Sequence, residues 1–161
     1  MQGLGLACGC ACLLGLLVTS TQVQSDSSSA VALHVVSAEG DELLNLSMTT
    51  PDWCLLWNHS VAGFTVKDCF TLHNQTLYLV SSHQPDFAAG LGHIEGRGEL
   101  TSDGQGGYWI HHINEPLVEN RLRIRVGSAA VNHRIESEQH HISLTDLAAG
   151  QAVEIRLIPH P

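Results

Sequence analysis

Trp53-Cys54-Leu55-Leu56-Trp57-Asn58-His59-Ser60-Val61-Ala62-Gly63-Phe64-Thr65-Val66-Lys67-Asp68-Cys69-Phe70-Thr71-Leu72-His73 is the stretch on which the fold turns. Its side chains alternate with period two, as successive residues of a strand point to opposite faces of a sheet. One face carries Trp53, Leu55, Trp57 and His59 beside Phe64, Val66, Asp68 and Phe70. The other carries Cys54, Leu56 and Asn58 with Thr65, Lys67 and Cys69. A four-residue loop, Ser60–Gly63, makes a hairpin of Trp53–Ser60 and Phe64–His73 and sets Cys54 directly opposite Cys69. Two facing cysteines in an exported chain are expected to oxidise. His59 and Asp68 are the polar side chains on the tryptophan face. A carboxylate there needs a partner. Either a backbone or Trp N–H supplies it, with His59 at the strand end, or both residues belong to a polar pocket in the sandwich mouth.

The same rhythm extends in both directions. Strands are predicted at Ala30–Ser37, Glu42–Met48, Thr76–His83, Tyr108–Ile113, Arg121–Val126, Ala129–Glu136 and Ala152–Ile158, with Gly, Asn, Asp or Pro in most gaps. The expected fold is an all-β, antiparallel β-sandwich of about 8–10 strands. One helical turn is expected at Thr145–Ala149, capped by Thr145 and closed by Gly150. Pro85–Gly107, which holds Gly90, Gly92, Gly96, Gly98, Gly104, Gly106 and Gly107, breaks the rhythm and reads as one long glycine-rich loop.

Composition narrows the class. The 161-residue chain is 43% hydrophobic and 14% charged, which permits a packed core, and its net charge of -9 argues against a nucleic-acid partner. Residues 1–25 carry no charged side chain; the apolar run Gly3–Val18 is followed by Val23 and Ser25 at the −3 and −1 spacing of a cleavage site. Residues 1–25 are therefore expected to be a secretory signal, or an N-terminal membrane anchor if uncut. Residues 26–30 read as a polar linker and 31–161 as a single β-sandwich domain.

A second hairpin is expected from Arg121–Val126, Gly127-Ser128 and Ala129–Glu136, with Gly-Ser as a type II′ turn. It pairs Leu122 with His133, Ile124 with Val131 and Val126 with Ala129. Arg121, Arg123, Arg125 and Arg134, four of the seven cations, then share its outer face. Such a patch meets a carboxylate ligand, an acidic partner or anionic headgroups, or else it is neutralised by Glu119, Glu136 and Glu154.

Catalytic signatures are missing. The 11 histidines include His111-His112 and His140-His141, but neighbours in a strand point to opposite faces and do not chelate together. Gly127-Ser128-Ala129 is no nucleophile elbow, and His59 and Ser60 are adjacent and so diverge. No catalytic residue, metal or cofactor is expected.

Trp57-Asn58-His59-Ser60-Val61, Asp68-Cys69-Phe70, Gln84-Pro85-Asp86-Phe87-Ala88-Ala89-Gly90-Leu91-Gly92 and Arg125-Val126-Gly127-Ser128-Ala129-Ala130-Val131-Asn132-His133 together resemble domain-of-unknown-function family 1850, small exported bacterial proteins. The resemblance spans about Val31 to Ile158. It singles out His59, Ser60, Asp68, Gly90 and His133 as motif positions, with Gln84–Gly98 folding over the sandwich end near His59 and His133. Many members of that family are encoded beside TAXI-type tripartite ATP-independent periplasmic (TRAP) transporters. The resemblance thus implies a periplasmic accessory of an organic-anion transporter. It would dock on the solute-binding protein or membrane subunits through the arginine hairpin. The alternative is a stand-alone carboxylate-binding module; a hydrolase or metalloenzyme built on His59, Ser60 and Asp68 ranks last.

Overall fold

A computed structural model describes residues 31–61, 63–85 and 94–159. The expected signal or anchor (1–25), the linker (26–30), Gly90 and the middle of the glycine-rich loop lie outside the described residues. The described chain forms β1 (Val31–Ser37), β2 (Glu42–Met48), β3 (Asp52–Asn58), β4 (Thr65–His73), β5 (Thr76–Gln84), β6 (Glu99–Ser102), β7 (Tyr108–His111) and β8 (Glu115–Pro116). β9 (Leu122–Arg125), β10 (Arg134–Ser137), β11 (His141–Ser143), helix α1 (Leu144–Ala148) and β12 (Ala152–Pro159) follow.

These strands make two antiparallel sheets packed as a β-sandwich. One runs β2-β1-β12-β9; the other runs β11-β10-β3-β4-β5-β7-β6, with β8 added on β5. Inward residues of both meet in one apolar cluster: Leu33, Val35, Ile155 and Leu157 from the small sheet, Trp53, Leu55, Phe70 and Leu77 from the large one. Trp53 is 1% exposed and stacks on Phe70 at 4.7 Å between ring centroids. Such pairs contribute about 0.5–1.5 kcal/mol beyond the area they bury.

The first hairpin has the register that its alternation implies. Trp53 faces Phe70, Cys54 faces Cys69 and Trp57 faces Val66. Cys54 and Cys69 are joined by a disulfide. The Ser60–Gly63 loop is closed by His59 N–H donating to Phe64 O and Gly63 N–H to His59 O, each at 2.8 Å. β4 and β5 are joined through Asn74-Gln75 alone, both at positive φ (49° and 64°), the conformation of a two-residue type I′ turn.

The second expected hairpin is not formed. β9 pairs with β12 in the small sheet (Leu122 with Ile155, Ile124 with Val153), whereas β10 pairs with β3 and β11 in the large one. Residues 126–133 are a crossover between sheets. Val126 is fully buried and stays tied to the α1–β12 turn, donating to Gln151 O and accepting from Gly150 N–H. The chain then turns on Ser128 O, which accepts from the N–H groups of Val131 and Asn132. A Cβ on Gly127 would sit 2.5 Å from Val131 Cβ, so the missing side chain is what lets the loop fold back on itself. Apolar alternation required only that Leu122, Ile124 and Val126 face inward, and β12 satisfies that as well as a hairpin partner would.

The glycine-rich stretch contains β6, a short edge strand paired with β7 whose four residues are all exposed, which is why no apolar alternation marks it. Helix α1 is capped by Ser143, whose Oγ accepts from Asp146 N–H at 3.1 Å; Thr145 Oγ1 instead accepts from His133 N–H at 2.9 Å.

Candidate ligand cleft

The crossover has a chemical consequence. It lies against the end of β3, where Asn58 N–H donates to Val131 O at 2.6 Å and Asn58 Nδ2 to Ala130 O at 3.2 Å. Two of the motif stretches, 57–61 and 125–133, are thereby stapled together. Between them and the inner face of the β3–β4 hairpin is an open cleft of about 470 Å³, within the range of small-molecule sites. Leu55, Phe70, Leu122 and Ile124 supply apolar wall; Ser60, Asp68 and His133 bring polar groups, with Arg125 also on the lining.

Asp68 sits opposite Leu55 in the hairpin. Its Oδ2 accepts from Trp57 Nε1–H at 3.1 Å and its Oδ1 from Ser82 Oγ–H at 2.7 Å. Two donors compensate the carboxylate for partial burial, and in return they fix the Trp57 indole. The expected Trp N–H partner is thus present, and of the two residues expected in a polar pocket Asp68 lines the cleft whereas His59 does not.

His133 is held on every side. Its backbone O accepts from Leu144 N–H at 2.9 Å, and its ring Nδ1 accepts from Gly127 N–H at 2.9 Å. Because Nδ1 is occupied as an acceptor, the neutral ring carries its proton on Nε2. Burial lowers the pKa of His133 below the usual histidine range. His59 borders the site without lining it; its ring lies 5.4 Å from Phe64 and 6.1 Å from Trp57, and its Nδ1 accepts from Val61 N–H.

The four arginines do not share a face. Arg134 is in the large sheet, with Nη1 on Asn132 O. Arg121 and Arg123 hold Glu154 at 2.9 and 3.0 Å, and both also meet Glu119. Arg156, which sequence reasoning left out, completes the set on Glu154 at 2.8 Å. Arg123 foremost, then Arg121 and Arg156, bring the Glu154 carboxyl down to about 2. Glu136 pairs instead with Lys67 at 3.0 Å. Arg125 Nη1 is held by Gly150 O at 2.6 Å. Arg121, Arg123 and Arg156 form a neutralised ladder with Glu119 and Glu154, whose signal in the sequence was the alternation of Glu154 and Arg156 with Val153, Ile155 and Leu157.

A second polar cluster, also missed, surrounds β7. His83 Nε2 lies 2.8 Å from Asp103 Oδ2, and its ring faces Trp109 at 4.9 Å. Hydrogen bonds from Gln105 N–H first, then from His83 and Gly107 N–H, lower the pKa of Asp103. Among the described residues no group of three or more His, Cys, Asp or Glu is placed to hold a metal ion.

Residues 54–144, more than half the chain and all the polar groups of the cleft, match the family described as Domain of unknown function (DUF1850). The chain belongs to this family. No curated protein and no solved structure matches it. This DUF1850 protein carries the Cys54–Cys69 disulfide, a bond compatible with an oxidising compartment, and no helix among its described residues is long and apolar enough to cross a membrane.

Proposed function

We propose that this DUF1850 protein is an exported, periplasmic binding module for a small organic carboxylate, which enters the cleft between the β3–β4 hairpin and the crossover. One observation carries the reading: Ser60 and Asp68 of the hairpin and His133 of the crossover, distant from them in sequence, line a single cleft of ligand size with apolar walls. Ser60 Oγ–H and His133 Nε2–H are the donors for the carboxylate. Binding is favoured over catalysis by the hydrogen bonds. Asp68 accepts from Trp57 and Ser82 rather than from an imidazole, and His133 Nδ1 accepts from a backbone N–H. A carboxylate–imidazole–hydroxyl relay needs the opposite arrangement.

The test is calorimetric titration of the mature chain with a panel of organic acids. Saturable heat that His133→Ala abolishes supports the reading; no heat with any acid removes it. The place of the module beside a TAXI-type TRAP transporter is a further part of the proposal and is supported by the family resemblance. Affinity purification from native membranes tests it through recovery of the solute-binding protein or transporter subunits. With Arg121 and Arg123 neutralised, docking through those arginines is no longer the contact we favour.

A further inference from the structure

We infer that the ligand of the cleft is an organic acid carrying a hydrogen-bond donor, an ammonium or hydroxyl group, near its carboxylate, and that Asp68 reads that donor. This rests on the binding reading above and specifies its ligand.

The inference comes from the charges and lone pairs in the cleft. Asp68 is the acidic side chain on its lining, and its Trp57 and Ser82 partners each occupy one site on one oxygen. A carboxylate accepts about four hydrogen bonds, so each oxygen keeps capacity for another donor. Both partners hold Asp68 rigidly, which is how a recognition group is preorganised rather than merely neutralised. A plain carboxylate would bring a second negative charge into the same partly desolvated space, where like charges repel more than in water. The Arg125 guanidinium on the lining keeps its charge, since its one bond is to the neutral Gly150 O, and it offsets part of this repulsion without supplying an acceptor for a ligand donor. A ligand with its own donor turns that repulsion into a contact. Its carboxylate meets Ser60 and His133, its donor meets Asp68, and its apolar body lies on Phe70 and Ile124. An ammonium, with a full charge against Asp68, is the better of the two donors.

The probes are 4-methylpentanoate, 2-hydroxy-4-methylpentanoate and leucine, which share one carbon skeleton and differ only at C2. They are titrated by calorimetry into the disulfide-bonded mature chain. The expected order is leucine tightest, then the hydroxy acid, with the plain acid at least tenfold weaker than leucine. Asp68→Asn, which keeps an acceptor for Trp57, is expected to erase at least tenfold of the preference for leucine while leaving the plain acid bound as well or better. Equal affinities for all three acids would overturn the inference and leave the binding reading standing. Heat from none of them, with heat from an unrelated organic acid of the wider panel, also overturns it. Silence across the whole panel overturns both. Should Asp68→Asn fail to fold, Ser82→Ala, which frees one Asp68 oxygen, is expected to reduce the leucine preference; an unchanged preference in a folded Ser82→Ala protein counts against preorganisation.

Discussion

The β3–β4 hairpin and the segment 121–137 carry the same kind of apolar alternation and are built in different ways. The hairpin keeps both strands in one sheet, joined by the four residues Ser60–Gly63 and by the Cys54–Cys69 disulfide. Segment 121–137 leaves the small sheet after Arg125 and enters the large one at Arg134. The hairpin makes the floor of the cleft, and the crossover makes the facing wall. The rigid half therefore holds Asp68, and the half that depends on a single folded-back loop holds His133. Alternation fixes which side of a strand is buried; pairing partners are fixed by loops, caps and tight contacts.

Breaking the hairpin should cost most. Trp53→Ala is expected to lose about 3–5 kcal/mol in urea denaturation, the usual range for a buried aromatic. A loss below ~1 kcal/mol would contradict its central place in the core. Reduction of Cys54–Cys69, or the double change to Ala, is expected to lose about 3 kcal/mol, the chain-entropy value for a 15-residue loop. Denaturation with and without a dithiol reductant reads this directly.

The crossover is sharpened by Gly127→Ala, expected to cost about 1–3 kcal/mol through overpacking against Val131. Val131→Ala in the Gly127→Ala background should recover part of that loss. Recovery is the decisive feature, because a Gly-Ser hairpin turn would not couple these two residues.

Acid should produce the smallest effect and in two windows. His133 has a folded pKa below its ordinary 6.5, so the unfolded chain binds its proton first. The stability this contributes is complete above about pH 6.5 and is lost as the pH falls toward the folded value. Glu154, lowered from 4.5 to about 2, adds a second decline between those values. His133→Gln should flatten the first window and Glu154→Gln the second, in denaturation midpoints followed from pH 8 to 2. Unchanged profiles would show that neither group titrates differently in the folded chain.

Much of this was legible in the sequence. The first hairpin, its register, the facing cysteines and the all-β class all followed from period-two alternation and a short loop. Asp68 was marked because a carboxylate fell on a tryptophan face. The crossover was hidden, since Gly127-Ser128 suits a tight turn equally well and nothing local announces that Val131 packs on Gly127. Arg134 was grouped with Arg121, Arg123 and Arg125 for the same reason, and Glu136 with them, whereas Glu119 and Glu154, two of the acids expected to neutralise the patch, do pair with Arg121 and Arg123. The His83–Asp103 pair was hidden because β6 is short and wholly exposed.

The most direct measurement is a titration of the ¹⁵N-labelled protein with leucine, followed by amide and indole chemical shifts. The Trp57 indole N–H, which donates to Asp68, is the reporter inside the cleft. Saturable shifts at that indole and at Asn58, Ser60, Ile124 and His133 are the expected result. Shifts confined to other regions, or an unmoved Trp57 indole while ligand binds, would contradict the cleft as the binding site.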